Sequence, residues 1–162
     1  MFVRNMEGAK KAGVVPGAYH FARPSSGSND AEMEAEHFAN TIKPYLKPGY
    51  LRPVLDLESG SDLGKTELTA WVHRFMGKFR ELTGITPILY ANSNYLSKLE
   101  DSVRKYDLWI AHYTKGQPSA SNRAFWQYTS RGSVDGISGN VDLDVFNGDM
   151  VSLINQFGIC LL

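Results

Sequence analysis

A single cysteine, Cys160, leaves this chain without an internal disulfide, so no covalent staple ties its segments together. No apolar run is long enough to span a bilayer. Net charge is missing as well: 17 lysines and arginines face 17 aspartates and glutamates, so no field draws the chain to nucleic acid or to an anionic membrane. Residues 1–11 alternate polar and apolar as a surface helix does and lack the apolar centre of a signal peptide, so export, where it occurs, is expected to use another route. Internal repeats and low-complexity linkers are absent. What is present is 43% hydrophobic residues over 162 positions, enough for one good core in one domain.

Helical and extended patterns alternate along the chain. Val3, Met6, Ala9 and Ala12 suit a helix that stops at Gly13, and residues 14–23 read as a strand. A helix is expected over 31–42, broken by Pro44, Pro48 and Gly49, and a second strand over 50–58. Leu68, Trp71, Val72, Phe75, Met76, Phe79 and Leu82 recur at spacings of three and four, which predicts a long helix capped by Thr66 and ended by Gly84. Strands follow at 86–91, 108–113, 125–129 and 141–146, with a short helix around 95–99. Strands separated by helices need crossovers, so the fold class is α/β with a largely parallel sheet that can close into a barrel. Six strands are countable, where a complete (β/α)₈ barrel has eight.

The segment Leu51-Arg52-Pro53-Val54-Leu55-Asp56-Leu57-Glu58-Ser59-Gly60 carries the chemistry. Along a strand Asp56 and Glu58 share a face, with Cα atoms roughly 6.6 Å apart, close enough for one charge to raise the other's pKa. Paired carboxylates at a strand end are a glycosidase arrangement, although an isolated D-x-E is more often a helix cap beside a solvated loop residue. Other strand ends add polar and aromatic groups: Tyr19 and His20; Tyr90 and Asn92; His112 and Tyr113; Trp126, Gln127 and Tyr128; Asp142 and Asp144. Aromatic faces stack on sugar C–H faces, so this collection suits a glycan. Each taken singly has a plainer use, as core aromatic, structural histidine or turn residue.

Six motifs in one order resemble the lysozymes of glycoside hydrolase family 25: Gly17-Ala18-Tyr19-His20-Phe21-Ala22-Arg23-Pro24, Pro53-Val54-Leu55-Asp56-Leu57-Glu58, Pro87-Ile88-Leu89-Tyr90, Leu108-Trp109-Ile110-Ala111-His112-Tyr113, Trp126-Gln127-Tyr128, and Gly139-Asn140-Val141-Asp142-Leu143-Asp144-Val145-Phe146. The resemblance implies a modified (β/α) barrel that cuts the β-1,4 bond between N-acetylmuramic acid and N-acetylglucosamine in bacterial peptidoglycan, without metal or other cofactor. It implies Glu58 as the general acid, Asp56 as its partner, Asp142 as the carboxylate of the last strand, and participation of the substrate's own 2-acetamido group. Tyr19, His20, Tyr90, His112, Trp126, Tyr128 and Asp144 are then expected to bind substrate, Asp144 standing where many relatives carry asparagine.

The family's D-x-S-x-x-Q-like first strand and K-A-T-E-G-like turn are not found in this sequence. The expectation is therefore a barrel lacking its first two strands, with about six of eight, a site one carboxylate short, and two exposed edges that favour a homodimer. Residues 1–148 are expected to form the catalytic region and 149–162 a helical tail. Action on the extracellular wall follows from the resemblance. A silent wall-binding domain is the alternative from another class; a metal hydrolase using Asp56, Glu58, His20 and His112 is disfavoured by the lack of an H-x-x-x-H pair.

Overall fold

The computed structural model describes residues 1–60, 62–114, 116–119 and 122–160. Its centre is one six-stranded sheet in strictly sequential order, curled into an open half-barrel. The strands are β1 (Tyr19–Phe21), β2 (Val54–Asp56), β3 (Ile88–Asn92), β4 (Leu108–Ala111), β5 (Arg123–Gly132) and β6 (Val141–Phe146). The first four pairings are parallel. β5 and β6 form an antiparallel hairpin, as the Gly136, Gly139 and Asn140 turn requires, so the expected parallel sheet ends in one reversed strand.

Helices cover the outer face of the early strands. α1 (Phe2–Lys11) precedes β1, α2 (Asp30–Ile42) and α3 (Lys65–Thr83) pack together behind β1 to β3, and α4 (Ser93–Ser97) follows β3 directly. The α3 stripe buries Leu68, Trp71, Val72, Phe75, Met76 and Phe79 against Phe38 of α2 and against Leu55, Leu57, Leu89 and Ala91, which point outward from β2, β3 and the segment between them. Gly84 closes α3 in the left-handed region at φ 74°, which an L side chain resists. Thr66 is not the cap: the helix begins at Lys65, and the Thr66 hydroxyl donates instead to Glu100 at 2.7 Å.

Two expected strands are shorter than their apolar runs. Pro16 and Pro53 offer no N–H to a ladder, so the strands shorten to Tyr19–Phe21 and Val54–Asp56, and before β2 Leu51 makes only an isolated bridge to Gly158. The inner face holds a second cluster: Val54, Ile88, Tyr90, Ala111, Ala124 and Phe125, closed below by Phe157 of α5 (Met150–Phe157). Phe157 meets Phe125 and Phe146 at centroid distances of 5.1 and 5.8 Å, and its carbonyl accepts from Arg52 N at 2.7 Å. The tail thus plugs the floor of the half-barrel, and polar chemistry is confined to the other end.

Candidate active site

Alternation along the strands selects what faces the hollow. Parallel register places Phe21, Asp56, Tyr90 and Trp109 in one row across β1 to β4, each beside the next. Trp109 then pairs with Phe125, and one pleat higher Gln127 pairs with Asp144. Phe125 belongs to the floor cluster; the others, with Tyr19, Val54, Glu58, Tyr113, Ser130 and Asp142, line a cavity of about 500 Å³. No lysine, arginine or histidine is among the described residues that line it.

Asp56 is the buried member. It is 9% exposed, and its Oδ1 has no hydrogen-bond partner among the described residues. Burial, then the charges of Glu58 and Asp142, push its pKa up to about 7. Near neutrality it therefore exchanges a proton readily. Asp144 is raised to about 6, again chiefly by burial, against a Trp109 Nε1 hydrogen bond of 2.7 Å that favours its charged form. Two acids that resist ionisation thus stand near two others in one pocket.

Glu58 lies two residues past β2, exposed at the mouth, on a loop held from three sides. Leu57 N donates to Tyr90 O at 2.9 Å. Ser59 Oγ donates to Ala22 O at 2.6 Å. Gly60 adopts φ +85°, and a Cβ there would meet Pro24 at 2.8 Å, so the loop lies flat on the end of the first motif. The Tyr90 hydroxyl, 3.3 Å from Glu58 Oε1, reaches the carboxylate from across the cavity. Tyr90's own pKa is raised by burial and by Glu58, so this hydroxyl keeps its proton.

Of the residues expected from the sequence, Asp56, Glu58, Asp142, Tyr19, Tyr90 and Asp144 are brought together in the cavity. His20, His112, Trp126 and Tyr128 are not, because each is one residue out of phase with an inward neighbour. His20 packs outward between Phe38 and Phe75, with Nε2 2.8 Å from Glu34. Glu34 also accepts from Arg23 N, so it ties down the end of β1. His112 Nδ1 lies 2.8 Å from Ser93 Oγ, and its carbonyl accepts from Trp126 Nε1 at 2.8 Å. Tyr128 stacks edge-on to Trp126 at 5.8 Å. Sequence reading passed over Phe21, Trp109, Ser130 and the joint role of Tyr113 and Gln127. Trp109 is placed beside Tyr90 and Asp56 only by the register across β2 to β4.

The pattern of the family described as glycosyl hydrolases family 25 matches residues 1–137, most of the chain. The chain belongs to that family. A family relative, YegX of Escherichia coli K12, is 35% identical over 155 residues, covering 94% of this chain and 55% of that protein. Lysozyme M1 of Streptomyces globisporus is 31% identical over 168 residues, covering 94% and 56%. Among solved structures, the spore cortex lytic enzyme SleM of Clostridium perfringens superposes with a TM-score of 0.83 at 30% identity, covering 94% of this chain and 55% of that one. The lysozyme of Streptomyces coelicolor gives 0.80 at 27% identity, covering 94% and 76%. The chain thus spans about half the length of the curated relatives it matches.

Proposed function

We propose that this chain is a glycoside hydrolase acting on the glycan strands of bacterial peptidoglycan, cutting the β-1,4 bond after N-acetylmuramic acid. The observation that carries the reading is the cavity in which Asp56, Glu58, Asp142 and Asp144 meet beside Tyr19, Phe21, Tyr90 and Trp109. The names of relatives support it: Lysozyme M1, an autolytic lysozyme of Clostridium acetobutylicum and an N,O-diacetylmuramidase of Chalaropsis.

Glu58 is assigned as the general acid. It stands at the open mouth where a glycosidic oxygen can approach, and protonating that oxygen lets the bond to the anomeric carbon break. Asp56 and Asp142 stabilise the positive charge that develops on the sugar ring and orient its 2-acetamido group; a buried carboxylate acts strongly there because little water screens it. Tyr19, Phe21, Tyr90 and Trp109 supply the stacking surface, with Asp144 held by Trp109 at its edge. Residues 1–148 serve as the catalytic region and 149–162 as a helical tail, whose Phe157 closes the floor. The place of action is the bacterial wall, outside the cell that is lysed.

The test is release of new reducing ends from purified peptidoglycan, run beside sedimentation of the protein with the same material. Reducing ends that appear with the wild-type chain and vanish with Glu58→Gln support hydrolysis. Sedimentation without any release would replace the enzyme with a wall-binding module.

A further inference from the structure

The Tyr90 hydroxyl stands between two acceptors and owns one proton. Its oxygen lies 3.3 Å from Glu58 Oε1 and 2.8 Å from the side-chain amide oxygen of Gln127. Tyr113, two residues past β4, donates to the same Gln127 oxygen. Gln127 itself is 5% exposed, and such an amide, nearly symmetric in shape, can present either its oxygen or its NH₂ to the two tyrosines.

We propose that Gln127 is a positioning residue for Glu58, acting through the Tyr90 hydroxyl and anchored by Tyr113. This rests on the reading of Glu58 as the general acid. A proton count gives the physics. When Glu58 is protonated, its O–H donates to the Tyr90 oxygen, the Tyr90 proton points to the Gln127 carbonyl, and the Tyr113 proton does the same. Each O–H donor of the three side chains then has an acceptor. Once Glu58 has given its proton to the leaving oxygen, its carboxylate needs a donor, and Tyr90 turns its proton to it. The Gln127 carbonyl would then face a bare tyrosine oxygen, so the amide turns over and its NH₂ donates to the oxygens of Tyr90 and Tyr113, while the Tyr113 O–H swings to point into the cavity. No proton is created or lost within the triad, and Glu58 stays held in both halves of the cycle. A residue that could only accept, or only donate, would hold Glu58 in one half alone.

The experiment compares two substrates: natural glycan, whose leaving group needs a proton, and a 4-nitrophenyl glycoside of the same disaccharide, whose phenol leaves without one. Glu58→Gln is the control and should lose far more activity on glycan than on the aryl glycoside. Gln127→Met, close in length but without hydrogen bonds, should follow the same pattern, falling about tenfold in kcat on glycan and less than about twofold on the aryl glycoside. In a Tyr90→Phe background the Gln127→Met change should add little, because the path through the hydroxyl is already cut. Equal losses on both substrates, or full additivity with Tyr90→Phe, would overturn the proposal. If the Glu58→Gln control itself lacks leaving-group dependence, the general-acid reading fails instead.

Discussion

Asp56 and Trp109 make the sharpest residue-scale claims. The Asp56 carboxyl is pushed above the ordinary carboxylate range to about 7 in the folded state, while in the unfolded chain it titrates near 3.8. Between those values the folded protein holds a proton that the unfolded one has lost, so stability falls as pH rises through this window and stays lower above it. Asp144, raised to about 6 but exposed to solvent, acts in the same direction and adds little. At about 1.4 kcal/mol for each tenfold change in an acid's dissociation constant, urea unfolding at pH 5 and pH 8 should differ by up to a few kcal/mol, and Asp56→Asn should narrow that gap. An unchanged gap in the variant would remove Asp56 as its source. Glu58→Gln keeps the shape but not the proton donor, so hydrolysis of glycan should fall at least about a hundredfold with the melting temperature unmoved. Trp109→Ala should weaken glycan binding by about 1 to 3 kcal/mol, whereas Trp126→Ala, on the outward face, should leave it nearly unchanged; calorimetry with a soluble glycan fragment separates them.

At the scale of the element, the β5–β6 hairpin carries half of the acidic cluster, so its geometry sets where Asp142 and Asp144 stand. Gly132 sits where β5 turns towards β6, and a Cβ there would press into the Leu143 side chain and within 2.9 Å of the Val141 carbonyl. Gly132→Ala should therefore cost about 1 to 3 kcal/mol and splay the hairpin, lowering glycan turnover even though no lining residue changes. Thermal unfolding and the reducing-end assay on one preparation check both halves. A fully active, fully stable variant would show that the hairpin tolerates displacement. By contrast β2 is short, but Leu57 N, Ser59 Oγ and Gly60 hold its acidic end against β3 and the first motif. The rigid strand presents the buried acid and the pinned loop presents the exposed one.

For the whole molecule, sequential pairing leaves β1 and β6 as the two edges of the sheet. Tyr19 and Phe21, 68% and 42% exposed, form the open wall of the cavity on the β1 side. An unpaired edge beside exposed aromatics favours association, so the 162-residue chain is expected to self-associate, most readily as a homodimer. Light scattering across a concentration series checks this; a monodisperse monomer at high concentration would count against it.

The order of helices and strands, the α3 stripe and the Asp56–Glu58 pair were all legible in the chain, because each depends on local periodicity or on residues a few positions apart. Six ordered motifs carried the family in the same way. Which aromatics face the cavity was not legible. Every strand end offers neighbours pointing to opposite faces, so Tyr19 was told from His20, and Gln127 from Trp126, only when the register across β1 to β6 set Tyr19 beside Val54 and Gln127 beside Asp144 on the inner face. The raised pKa values of Asp56 and Asp144 likewise belong to the tertiary structure, since burial and the meeting of carboxylates from β2 and β6 arise only when distant segments pack around one hollow.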